Sequence, residues 1–251
     1  MFKVKHKIET NGAAPVRKPL RMTPVVFEKE EFQYLEDQLK NGVIKPSKSA
    51  WASPVALVRK KDNSVPWYVD YMKLNDLTIK DAYPLLRIEM CIDCLASASI
   101  LCCVDLQSGY WQLMVDERDQ SKIAFITTYG LYEYCNMPFG LYNATSIFQR
   151  CMGLIFTGLQ WKTLLIYLDD IIIFSSDMEE HLLRLEEVFQ MIIKAGLKLK
   201  PSKCDLLKDE FLFLGNVVGK DGIKPNPKII VSQNLESSNH HQVNPAISWI
   251  M

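Results

Sequence analysis

The chain has 251 residues, 48% of them hydrophobic, enough to bury one large core or two small ones. Its 29 Lys/Arg are balanced by 29 Asp/Glu, so bulk charge announces no nucleic-acid partner. No apolar run reaches the ~20 residues needed to cross a bilayer, and Met1-Phe2-Lys3-Val4-Lys5 leads into polar residues rather than a secretory signal, so a soluble protein with no membrane partner is expected.

Residues 1–26 hold Pro15, Pro19 and Pro24 among scattered Lys and Arg, which predicts an extended basic arm rather than a packed element. Residues 1–61 carry 13 Lys/Arg against 6 Asp/Glu, leaving 16 against 23 for the rest. Such a split fits either a phosphate-binding arm on a cation-holding body or ordinary surface charge. A helix is predicted over 28–41, with Phe32, Leu35 and Leu39 on one face and Gly42 to end it. Residues 51–58 and 67–71 read as two strands of a hairpin joined by a charged turn, with Pro66 awkward for a central strand. The run 100–104 is a short buried strand ending at Asp105, and 145–159 has a helical apolar pattern. Two strand-like runs, 164–167 and 171–174, flank Leu168-Asp169-Asp170. Ser176-Asp177-Met178-Glu179 is a capping box for a helix reaching about Ala195, and Gly196 stops it. A last hairpin is expected around 211–218, and the tail from about Ser232 has no period. This order of hairpins and helices predicts an α+β fold with a largely antiparallel sheet.

Seven Cys, odd in number and without framework spacing, predict reduced thiols and an intracellular protein, cytoplasmic or nuclear. Cys91-Ile92-Asp93-Cys94 has no second pair to complete a zinc site. None of the four His has a neighbour suggesting a nucleophile–base pair, which argues against Ser/His or Cys/His hydrolysis.

Adjacent Asp169 and Asp170 between apolar strands are unusual, because Asp is a poor strand residue and costly to bury unpaired. They fit a hairpin turn, where Asp is common, or a site for a divalent cation, whose charge would offset their repulsion. Asp105 ends a strand in the same manner and is their natural partner if the strands pair.

Tyr167-Leu168-Asp169-Asp170 resembles the YxDD box of reverse transcriptases, and Val104-Asp105-Leu106-Gln107-Ser108-Gly109-Tyr110-Trp111-Gln112 resembles the DLxSGYxQ box of LTR retrotransposons. Lys122-Ile123-Ala124-Phe125, Met137-Pro138-Phe139-Gly140-Leu141-Tyr142-Asn143-Ala144 and Phe148-Gln149-Arg150 follow in the family order. Trp51-Ala52-Ser53-Pro54-Val55 and Val69-Asp70-Tyr71 match upstream; Lys203-Cys204, Phe213-Leu214-Gly215 and Gly222-Ile223 match downstream. The series covers roughly 5–230 and is similar to the reverse transcriptase domain of gypsy-like LTR retrotransposon Pol polyproteins. A nucleotide cyclase would explain the carboxylates but not the other motifs.

The resemblance implies the fingers and palm of a right-hand polymerase with an antiparallel palm sheet and the thumb largely absent. Fingers would take about 27–99 and 117–158, and palm about 100–116 and 159–231, with 232–251 an irregular tail. It implies an RNA-directed DNA polymerase acting on dNTPs and a primed RNA or DNA template. Asp105, Asp169 and Asp170 would hold two Mg²⁺ ions, with Mn²⁺ as the alternative. Tyr110 would lie under the incoming sugar, Phe139 and Gly140 would line the nucleotide pocket, Lys60 would reach the triphosphate, and Phe213, Leu214 and Gly215 would position the primer. The family usually carries Arg where this chain has Pro66 and Met72, and no thumb or RNase H sequence follows, so a truncated, catalytically impaired copy is the alternative expectation.

Overall fold

The computed structural model describes residues 4–22, 24–57, 67–84, 86–96, 98–208, 210–213, 215–219 and 222–225. In chain order the elements are α1 (Glu28–Lys40), β1 (Ile44–Pro46), β2 (Ser53–Leu57), β3 (Trp67–Val69), α2 (Met72–Leu77) and α3 (Ile88–Leu95). There follow β4 (Ile100–Asp105), β5 (Phe125–Thr127), β6 (Gly130–Tyr134), α4 (Ala144–Ile155), β7 (Leu164–Tyr167), β8 (Asp170–Ser175) and α5 (Met178–Ala195). The last described strands are β9 (Asp205–Lys208), β10 (Glu210–Phe213), β11 (Asn216–Gly219) and β12 (Gly222–Pro225).

Three sheets result. A five-stranded sheet has the order β1-β6-β5-β2-β3, antiparallel except where β2 runs parallel to β5. A four-stranded sheet, β7-β8-β4-β9, and a three-stranded one, β10-β11-β12, are antiparallel throughout. The fold is thus α+β, as expected.

The four-stranded sheet explains why β7 and β8 read as unbroken apolar runs. Alternate side chains of a strand point to opposite faces. Leu164, Ile166, Ile171 and Ile173 enter the main core with Phe148 of α4 and Val188 of α5. Leu165, Ile172 and Phe174 enter a second core with Cys91 and Leu95 of α3 and with Phe213 and Val218. Both faces are covered, so neither can be polar. Helix α4 packs against β7 of this sheet.

Several local expectations change. The lead-in is extended, but it is packed: His6, Ile8 and Thr10 are buried, and single bridges join His6 to Val115 and Arg17 to Ala52. Its basic side chains are partly engaged, Lys18 and Arg21 reaching the Asp70 carboxylate at 3.1 and 2.8 Å. Helix α5 is capped one residue later than predicted, by the Asp177 carboxylate accepting from the Glu180 N–H, and it ends at Gly196 with φ 71°. Asn143 is the N-cap residue of α4, and Thr145 lies inside its first turn.

His181 does have neighbours of the nucleophile type. Its ring lies 2.9 Å from Ser175 Oγ and 3.1 Å from Cys102 Sγ. The ring is wholly buried, and burial pushes the Cys102 thiol up, so the trio is a core hydrogen-bond network and not a hydrolytic site. All seven Cys are free thiols, and no described helix is long and apolar enough to cross a membrane.

Candidate active site

The pairing of β4 with β8 sets Asp105 directly opposite Asp170. The pairing of β7 with β8 sets Tyr167 opposite Asp170, leaving Leu168 and Asp169 as a two-residue turn. Two-residue hairpin turns require positive φ in at least one central residue and usually use Gly or Asn. Here Leu168 takes that role with φ 55°, a conformation costing a bulky residue on the order of 1–3 kcal/mol.

Two contacts hold the turn in place. The Leu106 N–H donates to the Asp169 carbonyl at 3.3 Å, tying the turn to the end of β4. The Gln149 amide on α4 straddles the hairpin: Nε2 donates to the Ile166 carbonyl at 2.8 Å, and Oε1 accepts from the Leu168 N–H at 3.2 Å. Gln149 is buried. Replacing it by Leu leaves the buried Ile166 carbonyl without this partner, worth roughly 1–3 kcal/mol, and frees the part-buried Leu168 N–H. Gln149→Leu is therefore expected to lower the melting temperature, read by circular dichroism. A variant that melts with the unmodified chain would remove Gln149 from this role.

The carboxylates strain one another. Asp169 is pushed up to about 6 by burial first, then by Asp105 and Asp170, with Lys203 opposing. Asp170 is raised by burial and by Asp105. Asp169 Oδ1 is buried with no hydrogen-bond donor. Lys203 Nζ stands 3.2 Å from Asp105 Oδ2. Among the described residues no group of three or more His, Cys, Asp or Glu forms a ready metal cage. The arrangement fits instead a cation that takes one or two carboxylates and completes its shell from phosphates and water. The donorless Oδ1 and the mutual repulsion are what such a cation would relieve.

Beside the carboxylates lies an aromatic floor. Tyr110 is 5.2 Å from Phe139 and 5.1 Å from Phe148, centroid to centroid, and its hydroxyl lies 3.1 Å from Thr145 Oγ1. Phe139 is exposed. Gly140 adopts φ 92°, which explains glycine there, and its carbonyl accepts from Asn75 Nδ2 at 2.8 Å. Phe213 is buried with its ring 6.1 Å from Tyr167, edge to face, two residues ahead of Gly215 at φ 81°. Lys60 and Leu214 lie outside the described residues, as does Pro66.

Asp105, Asp169, Asp170, Tyr110 and Phe139 are thus gathered at one end of the four-stranded sheet. Sequence reasoning gave no role to Gln149, Gly109, Thr145 or Lys203. A polar residue set between Phe148 and Cys151 on an otherwise apolar helix face was the available signal for Gln149.

Residues 58–218 match the family described as reverse transcriptase (RNA-dependent DNA polymerase). The chain is 41% identical over 237 residues to the retrovirus-related Pol polyprotein from transposon 297 of Drosophila melanogaster, covering 91% of this chain and 22% of that protein. It is 37% identical over 196 residues to the Pol polyprotein from transposon gypsy of the same fly, covering 76% and 19%. It therefore spans about a fifth of these relatives. The foamy viral protease-reverse transcriptase, solved in complex with an RNA/DNA hybrid, shares the fold with TM-score 0.81 and 22% identity over 92% of this chain and 31% of that one. With the motif series, the carboxylate register and a family match over most of its length, the chain belongs to the reverse transcriptases, in the company of gypsy-type retrotransposon Pol polyproteins.

Proposed function

We infer that the chain is an RNA-directed DNA polymerase domain, extending a primer on an RNA or DNA template with dNTPs. The observation carrying this reading is the convergence of Asp105, Asp169 and Asp170 at one sheet end, with a buried, donorless Oδ1 beside an aromatic floor. In the reaction the primer 3′-hydroxyl loses its proton to solvent, its oxygen forms a bond to the α-phosphorus, and the bond from that phosphorus to the oxygen bridging the β-phosphate breaks, releasing pyrophosphate. Mg²⁺ held by the three carboxylates, or Mn²⁺ in its place, would supply Lewis-acid stabilisation of the attacking and leaving oxygens.

The chain's own side chains account for the rest. Tyr110, held by Thr145 and Phe148, would lie under the incoming sugar and exclude a 2′-hydroxyl. Phe139, whose ring is exposed, would line the nucleotide pocket with Gly140. Phe213, packed on Tyr167, would position the primer end together with Leu214 and Gly215. Lys60 would bring charge to the triphosphate.

One observation favours an impaired copy. Met72, where the family carries Arg, is 69% exposed and offers no charge. A fixed cation facing a transferring phosphate lowers the barrier as well as aiding binding. Primer extension on an RNA template should therefore be weak for this chain and should rise at least about tenfold in a Pro66→Arg, Met72→Arg variant. Robust extension by the unmodified chain would sink the impaired reading; no gain in the variant would sink its stated cause.

A further inference from the structure

Against Asn143 at the head of α4 and Ile147 and Arg150 within it, on a different face of that helix from Phe148 and Gln149, lies a cavity of about 460 Å³. Its walls carry Lys5, Lys7, Lys80 and Arg150 against Glu9 and Asp81. None of the catalytic carboxylates lines it. Among the described residues Lys5 pairs with Glu117 at 3.3 Å and Arg150 with Asp81 at 2.7 Å, whereas Lys7 and Lys80 form no ion pair. Both of those lysines are exposed.

The cavity is built rather than incidental. The buried Asn143 at the head of α4 accepts from the Asp81 N–H at 3.0 Å and donates to the Ile79 carbonyl at 2.7 Å, so it fixes the segment carrying Lys80. Arg150 is locked by Asp81 and by stacking over Tyr83 at 4.8 Å. Lys80 Nζ sits 4.9 Å from the centre of the Tyr142 ring, which is itself exposed. A lysine with no carboxylate partner beside an open aromatic face suits a strand that offers a phosphate and then a base.

We propose that this cavity seats backbone phosphates of the nucleic-acid strand away from the reaction centre, with Lys7 and Lys80 as the contacting cations and Tyr142 as an adjoining stacking surface. This rests on the polymerase reading and adds a second anchor to it. Lys contacts of this kind carry affinity without sequence preference. Two anchors on either side of α4 would fix the path of a strand past Tyr110, whose hydroxyl meets Thr145 in the first turn of that helix.

The test is fluorescence anisotropy with the full 251-residue chain and its Lys7→Glu, Lys80→Glu variant, without dNTP, across a KCl series. The probes are a labelled primer–template with a single-stranded template overhang and a blunt duplex. Circular dichroism melting checks that the variant is folded. The variant should bind the overhang substrate about tenfold more weakly at ~0.1 M KCl, with the slope of log affinity against log salt reduced by about 1.4, at roughly 0.7 per single-strand phosphate contact. A comparable loss on the duplex also supports the proposal. Unchanged affinity and slope on both probes overturn it, as does an equal loss in a Lys162→Glu, Lys194→Glu control that changes charge elsewhere. Inorganic phosphate at matched ionic strength separates a free-anion site: displacement of the strand from the unmodified chain, with strand affinity unaltered in the variant, overturns the proposal. Failure of the unmodified chain to bind either probe removes the polymerase reading and this one together. Equal binding by chain and variant removes only this one.

Discussion

Asp169→Asn is expected to lower primer extension by on the order of 10³-fold and, at about pH 7.5 without divalent cations, to raise the melting temperature. The two effects have one cause. Burial first, then Asp105 and Asp170, push the Asp169 carboxyl from 3.8 up to about 6, against the pull of Lys203. A group whose folded-state pKa is raised stabilises the fold through its protonated form. That contribution is complete below about pH 4 and is lost as pH rises through about 6. At about pH 7.5 the carboxylate is ionised whether the chain is folded or not, and the folded chain bears the repulsion. A shift of about two units sets a ceiling of roughly 2–3 kcal/mol, and each kcal/mol moves the melting temperature of a chain this size by about 2–4 °C. The gain in melting temperature from Asp169→Asn should therefore be larger at about pH 7.5 than at about pH 5; His6 and His181, whose lowered pKa values favour the higher pH, act equally on chain and variant and cancel from the comparison. Millimolar Mg²⁺ should raise the melting temperature of the unmodified chain at the higher pH and act less on the variant, since ligand binding to the folded state stabilises it. A variant that melts lower than the parent at that pH, together with no response to Mg²⁺ in either, would show that these carboxylates are not a strained, cation-seeking group.

Much of this site was legible because its pieces are local. Two unbroken apolar runs around Leu168-Asp169-Asp170 announce a hairpin buried on both faces, and the ordered motifs assign its family. What brings Asp105 opposite Asp170 is a strand pairing 65 positions apart, which the resemblance implied and the register supplies. The features that escaped are those settled by tertiary contact. The lead-in was expected to be an extended basic arm and not a packed element, because Pro15, Pro19 and Pro24 punctuate it. It is held by isolated bridges and by the burial of His6 and Ile8, which leave no periodic trace. The Thr145 hydroxyl meets that of Tyr110. Ser176 and Asp177 are both good caps in sequence, and the structure uses Asp177, whose carboxylate accepts from the Glu180 N–H. Leu168 gives no hint of its left-handed backbone, because the strain is sustained by Gln149 from a different element.

Gly109→Ala is expected to cut extension by on the order of 10²-fold and to destabilise the fold by about 1–3 kcal/mol. Gly109 is not in the left-handed region, so alanine costs it no backbone strain. The constraint is space. A β-carbon there would stand 2.6 Å from Asp169 Oδ1 and 2.8 Å from Phe148 Cζ. Phe148 is fully buried, with Tyr110 against its ring, so neither ring can retreat freely. The carboxylate can turn, but then its donorless oxygen leaves the position facing Asp105 and Asp170, and a displacement near ~1 Å is enough for a loss of this size. The two clashes are separable. Phe148→Leu in the Gly109→Ala background removes the aromatic contact and leaves the carboxylate contact, so melting should recover in part while extension stays low. Two neighbouring substitutions of this kind should depart from additivity in stability. Recovery of both stability and extension in the double variant would place the whole effect in the core packing of Phe148. Full activity in Gly109→Ala alone would mean that Asp169 does not act from the position it holds against Gly109.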